Sequence, residues 1–168
     1  MPASAAGVTE DFMWLWIRRL MLAALVVLAV SQVFRPARTN PLTDPAREID
    51  ANLTIDPPVA ALLSRSCNDC HSNRTVWPWY SHVAPASWLV VSDVNRGRKA
   101  LNFSEWSTYG AKQQREHLGE ICKEVEEREM PGFSYTLMHR DAALSKAEVA
   151  AVCRWAQSSA QTFIAEQE

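Results

Sequence analysis

Apolar and polar positions divide the chain into one unbroken apolar run, a polar stretch broken by prolines, and a series of amphipathic stripes. The run covers residues 20–34, Leu-Met-Leu-Ala-Ala-Leu-Val-Val-Leu-Ala-Val-Ser-Gln-Val-Phe. A segment apolar on every side needs either lipid or a core helix with neighbours all round. A spanning helix takes about 20 residues, so this run must extend back through Arg18 and Arg19, whose charged ends can snorkel. From Arg35 to Pro58 the prolines Pro36, Pro41, Pro45, Pro57 and Pro58 alternate with polar residues, which reads as a stiff, extended linker.

Beyond it the apolar spacing is helical. Val59, Leu62 and Leu63 share one face of a short helix ending near Arg65, with Pro58 in its first turn. Trp88 to Lys99 forms a second helix, with Ser87 as N-cap and Trp88, Val91 and Asn95 on one stripe. Ser104 is a further cap candidate. Lys112 to Arg128 is a long charged helix whose Leu118, Ile121, Cys122 and Val125 keep the core spacing. Ser145 to Phe163 is the last helix, opened by the capping box Ser145-Lys-Ala-Glu148. Its buried stripe is Val149, Val152, Cys153, Ala156 and Ala160, with Trp155 on the flank. No stretch alternates as a strand does, so the fold class is all-α.

Charge decides how the apolar run is read. Arg18 and Arg19 on its leading side keep that end cytoplasmic, and Phe12, Trp14 and Trp16 fall in the headgroup belt of the same face. Ala29-Val30-Ser31 would also serve as a signal-peptide cleavage site. The aromatic belt ahead of the arginines has no use in a segment meant for removal, which favours a retained anchor. Either way the remainder is exported. The expected organisation is a cytoplasmic stub and membrane anchor over 1–34, a proline-rich linker over 35–57 and a folded domain over 58–168. The chain would cross the inner membrane once, with its domain in the periplasm.

Composition narrows the partners. The net charge is −2 and charged residues make up 21% of the chain, without the concentrated basic face that nucleic acid requires. Seven tryptophans against five glycines suit a compact helical domain with a bulky, planar interior.

The chemistry is concentrated in Cys67-Asn68-Asp69-Cys70-His71. Two cysteines two residues apart, followed at once by histidine, read as a c-type haem attachment site. Each thiol adds across one porphyrin vinyl group, and His71 is then carried under the iron as an axial imidazole. A redox C-x-x-C pair would sit in a βαβ unit, and nothing in the pattern reads as one. A zinc site needs a second ligand cluster, and Cys122 and Cys153 are too far apart in sequence to supply it. The cofactor expected is therefore one covalent haem c. The loop Trp77-Pro78-Trp79 after the motif could wall the haem, with indole N–H groups or Arg74 reaching a propionate, or could be ordinary core packing.

Further residues carry a resemblance. Cys67-x-x-Cys-His-Ser-Asn, Trp77-Pro-Trp-Tyr-Ser, Pro85-x-Ser-Trp, Asp93-Val, Gly97-Arg and Leu101-Asn-Phe-Ser-x-Trp resemble the small bacterial haem-binding domain family of c-type cytochromes. So do Gln32-Val-Phe-Arg-Pro, Asn40-Pro, Met130-Pro131, Tyr135 and His139. The resemblance covers nearly all of the chain after residue 30 and implies a single covalent haem in a predominantly helical domain. More distantly, a helix before the motif, a Met-Pro loop and a Ser-capped final helix resemble class I cytochromes c.

That resemblance bears on the second axial ligand. Met130-Pro131-Gly132 lies between the two C-terminal helices, where class I cytochromes present their methionine, and a thioether favours ferrous iron. His139 lies in the same loop and is the rival. His82 is close to His71 in sequence, His117 sits on the charged helix and reads as solvated, and Met138 is a further candidate. Cys122 and Cys153, each on a buried stripe of an exported domain, read better as a disulfide than as free thiols.

Three functions follow. The first is an electron carrier between redox partner proteins, a respiratory or photosynthetic membrane complex among them. The second is a peroxidase-like enzyme or gas or redox sensor, which needs an open sixth position. The third is a haem-bearing subunit of a larger membrane complex. Two strong axial ligands would favour the carrier.

Overall fold

The computed structural model describes residues 5–165, with side chains described over 12–163. The first four residues of the expected cytoplasmic stub and the last three of the expected domain lie outside the described residues. Among the described residues every regular element is helical. The chain divides into two units, one formed by Met1–Ala37 with Pro78–Val91, the other by Arg38–Trp77 with Ser92–Glu168.

In the first unit, α1 (Ala5–Ser31) runs without a break through both arginines and closes with a 3₁₀ turn, Gln32–Phe34. Within it, Phe12–Phe34 forms 23 residues of mean hydropathy 1.9 with no part buried, long and apolar enough to cross a membrane. The arginines lean on tryptophans of the same helix: Arg18 lies 5.9 Å from the Trp14 ring and Arg19 6.0 Å from that of Trp16. The second segment of this unit holds the 3₁₀ turn Trp79–His82 and the start of α5 (Ala86–Ala100). Ser87 is not the N-cap expected of it. Its amide already donates to Val83 O at 2.9 Å and its hydroxyl is buried, because Pro85 fixes a helical φ and starts the turn upstream.

The second unit is built on α6 (Ala111–Glu126) and α8 (Lys146–Ala165), which pack along one another. Leu118, Ile121, Cys122 and Val125 of α6 meet Val152, Cys153, Trp155 and Ala156 of α8 in the core. The predicted α6 stripe is buried, and of the predicted α8 stripe Val152, Cys153 and Ala156 are buried while Val149 and Ala160 are partly so. Trp155, expected on the flank, is buried, with its indole N–H donated to Thr54 O at 3.1 Å. Cys122 and Cys153 form the expected disulfide. The capping box forms as read: Ser145 N donates to Glu148 Oε2 at 2.8 Å and Glu148 N to Ser145 Oγ at 3.3 Å. At the end of α6, Arg128 takes a left-handed φ of 61°, which stops the helix before the predicted boundary. The amides of Glu129 and Met130 then both donate to Glu124 O. The short α7 (Phe133–Met138) fills the connection to α8.

The proline-rich stretch is more than a linker. It contains a 3₁₀ turn, Pro45–Arg47, and α2 (Ile49–Asn52), and Ile49 enters the core beside Val59 and Leu63 of α3 (Pro57–Ser66). Pro45 and Pro57 occupy first-turn positions, where the missing N–H costs nothing and the fixed φ starts a helix. The second unit takes in this stretch from Arg38 onward.

Candidate functional site

The motif is held from both sides. Val59, Leu62 and Leu63 bury one face of α3, and the last turn of that helix is tied down by long-range hydrogen bonds. Arg65 donates to Asp141 O at 2.7 Å and to Glu148 Oε1 at 2.7 Å, and Ser66 Oγ donates to Ala142 O at 2.9 Å. At Cys67 the backbone leaves the helix, and the one-turn α4 (Asn68–His71) begins, with Cys70 N and His71 N both donating to Cys67 O. Residues three and four apart share a face of such a turn, so Cys67, Cys70 and His71 face one way and Asp69 the other. Asp69 is gripped from behind: Tyr135 of α7 donates its hydroxyl to Asp69 Oδ2 at 2.8 Å.

His71 is oriented by the end of α5 and the residues after it, with the Gly97 backbone and the Phe103 ring, 6.2 Å away, beside the imidazole. Its Nδ1 lies 3.0 Å from the carbonyl oxygen of Leu101. A carbonyl can only accept, so Nδ1 carries the proton and Nε2 keeps its lone pair for a metal, the arrangement typical of ligating histidines. Burial pushes the imidazole below its usual range, which keeps it neutral and able to coordinate.

The residues that follow are docked on the same strip. Asn73 N donates to Ser104 Oγ at 3.0 Å, and Asn102 Nδ2 donates to Asn73 Oδ1 at 2.9 Å. Arg98 gathers Ser72 O, Thr39 O, Asn40 Oδ1 and Thr75 Oγ1, all within 2.8 Å. One position in α5 has no room for a side chain: a Cβ on Gly97 would lie 2.5 Å from Cys70 O. These contacts explain the sequence pairs Ser72-Asn73, Gly97-Arg98 and Leu101-Asn102-Phe103-Ser104. Each was visible as a motif, but no local spacing revealed that the second and third clasp the first.

The donor set fits haem better than its rivals. Cys67 and Cys70 are both free thiols. Burial pushes Cys67 up to about 12, with Cys70 adding to the shift, and burial likewise pushes Cys70 up to about 11, with Asp69 contributing. A dithiol redox pair works through the opposite shift. Among the described residues the cluster of metal-ligating side chains with close donor atoms is Cys122, Glu126 and Cys153, and its two sulfurs are consumed in the disulfide. Two neutral thiols and a neutral imidazole on one face of a turn are what thioether attachment with axial ligation requires.

The candidates for the second axial position lie apart. Met130 is half-exposed on the wall of a cavity of about 310 Å³, with Val125, Pro131, Phe133 and Leu144. His139 stacks on Tyr135, ring centroids 4.5 Å apart, and Tyr135 is the residue that holds the back of the motif turn. His117 is not solvated as its helix position suggested. It packs edge-on against Tyr109 at 4.7 Å with Nδ1 at 3.1 Å from Glu120, because the 3₁₀ segment Phe103–Thr108 covers that end of α6. Met138 is exposed on α7, and His82 lends its carbonyl oxygen to Arg35. Arg74 is engaged too: it pairs with the buried carboxylate of Glu48. Trp77 donates its indole N–H to Asn40 Oδ1 at 3.2 Å.

No protein of curated function and no solved structure matches the chain. The family model described as a haem-binding domain matches residues 26–158, from the second half of α1 to the last turns of α8. That span takes in the motif turn, the strip that orients His71 and the loop bearing Met130 and His139, and by it the chain belongs to the haem-binding domain family.

Proposed function

We propose that this protein is a membrane-anchored, mono-haem c-type cytochrome that carries single electrons between exported redox partners. The observation that carries the reading is the Leu101 carbonyl on His71 Nδ1, which leaves Nε2 as a neutral ligand on the face shared by two thiols. Haem, when bound, supplies an iron couple that takes up and returns one electron. Cys67 and Cys70 would hold it through thioethers, each S–H adding across one vinyl group with no atom lost. His71 would be one ligand to its iron and Met130 the other, Met130 lying half-exposed on a cavity wall while the His139 ring is stacked on Tyr135. Filled axial positions suit a carrier over a peroxidase-like site. Two of the histidines that could serve as acid or base over an open iron, His117 and His139, are each packed against a tyrosine ring. The anchor is α1, with the domain on the periplasmic face of the inner membrane and its partners there, a membrane redox complex included.

Replacing Cys67 and Cys70 together by alanine should abolish haem staining on a denaturing gel. Retained staining would refute covalent attachment at this site. Rapid carbon monoxide binding by the native ferrous protein would overturn the carrier reading in favour of an open sixth position.

A further inference from the structure

The segment Pro78–Val91 contains no Asp, Glu, Lys or Arg, in a chain of which 21% is charged. Its large side chains nevertheless face outward: Trp79 is 75% exposed and Leu89 67%, with Val83 and Trp88 also exposed. Apart from Val91 at its end, the buried residues of the segment are the small Ser81, Ala84 and Ser87. This inverts the usual order of a water-facing surface, where polar residues cover apolar ones.

The segment is also fixed in place. The Gln32 side-chain amide clamps Ala84, donating to its carbonyl at 3.2 Å and accepting from its N–H at 3.0 Å. Arg35 donates to the His82 carbonyl, and Trp88 Nε1 donates to Phe34 O at 2.9 Å. Residues 82–88 are therefore bonded directly to residues 32–35, the end of the apolar helix. Phe12–Phe34 is 23 residues, or about 34 Å at about 1.5 Å per residue, enough for a hydrocarbon core of about 30 Å. Each headgroup layer beyond that core is about 5–8 Å deep. A segment hydrogen-bonded to the last turn of the span has nowhere to lie but in that layer. Tryptophan and aliphatic side chains without charge are what the layer accommodates.

We infer that Trp79, Val83, Trp88 and Leu89 form a second membrane contact, a monotopic foot that rests in the interface beside the exit of α1. The inference rests on the reading of α1 as a membrane span. The occupant is lipid, since this patch continues the lipid-facing surface of the span, through Val33 at 79% and Phe34 at 71% exposure.

The test uses the full haem-loaded chain in vesicles of phosphatidylethanolamine and phosphatidylglycerol. Photoreactive benzoylphenylalanine replaces Trp79, Leu89, Leu25 in the span, or Lys123 on α6. Trp79 and Leu89 should give lipid adducts in yields within several-fold of Leu25 and at least tenfold above Lys123. Adducts at Leu25 alone, or adducts of Trp79 and Leu89 to haem or protein only, would overturn the foot and leave the span standing. Absence of adducts at Leu25 would remove the span and the foot with it. As a check free of changes at the patch, a Trp14→Phe/Trp16→Phe chain should keep quenching of its fluorescence by acyl-brominated lipid. Loss of all quenching in that chain would likewise overturn the foot.

Discussion

His71 Nδ1 and the carbonyl oxygen of Leu101 lie 3.0 Å apart, across thirty residues of sequence. Leu101 follows the C-terminus of α5, so the ring is only as well placed as that helix is against the motif turn. Gly97 sets the approach, with its Cα where a Cβ would meet Cys70 O at 2.5 Å.

Gly97→Ala therefore has two opposed effects. In a free helix alanine would stabilise by about 1 kcal/mol. Forcing a methyl against backbone costs about 1–3 kcal/mol, and here the neighbouring atom cannot rotate away. The expected result is net destabilisation, read as a lower guanidinium midpoint of the haem-loaded protein. An unchanged or higher midpoint would show that α5 and the motif turn part easily.

Met130→Ala should remove the weak sulfur-to-iron charge-transfer band at the red edge of the visible spectrum and lower the reduction potential. His139→Ala should leave both intact, since the ring it removes is stacked on Tyr135. A wild type without the band, made high-spin by His139→Ala, would move the assignment to His139. Two low-spin variants with unchanged potentials would dismiss both residues.

The Cys122–Cys153 disulfide joins residues 31 apart and encloses both Met130 and His139. By the chain-entropy estimate such a loop closure stabilises by about 3–4 kcal/mol. Cys122→Ala with Cys153→Ala should lower the unfolding midpoint accordingly and leave haem staining in place, because Cys67 and Cys70 are untouched. A variant as stable as the wild type would show that α6 and α8 hold together by apolar contact alone.

Glu148 gives the acid limb of stability a residue. The Ser145 backbone N–H, then the Arg65 guanidinium and the Ser145 hydroxyl, hold its carboxyl down to about 2, against 4.5 for an ordinary glutamate. A depressed carboxylate stabilises the fold above its unfolded value and loses that contribution as pH falls from about 4.5 to about 2. Thermal melts of Glu148→Gln should lie below the wild type at pH 7, with the gap closing over that window. A gap independent of pH would show that the ionised carboxylate is not what the capping box uses.

The sequence by itself determined what depends on neighbours within four residues. The face shared by Cys67, Cys70 and His71, the capping box at Ser145 and the buried stripes of α6 and α8 all follow from the 3.6-residue period, which no distant contact alters. The pairing of Cys122 with Cys153 followed as well, because each lay on one of those stripes. Tertiary structure alone decided which acceptor would meet a given donor. Leu101 O for His71, Glu48 for Arg74 and the Tyr109 ring for His117 lie well beyond one helical turn in sequence, met only once the chain has folded. Ile49 and Ser87 moved for a related reason. Proline fixes φ but does not say whether the turn it begins will find a core, and Ile49 found one beside Val59 and Leu63. A donor's chemistry is written in its residue type, while the position of its acceptor is a property of the whole fold.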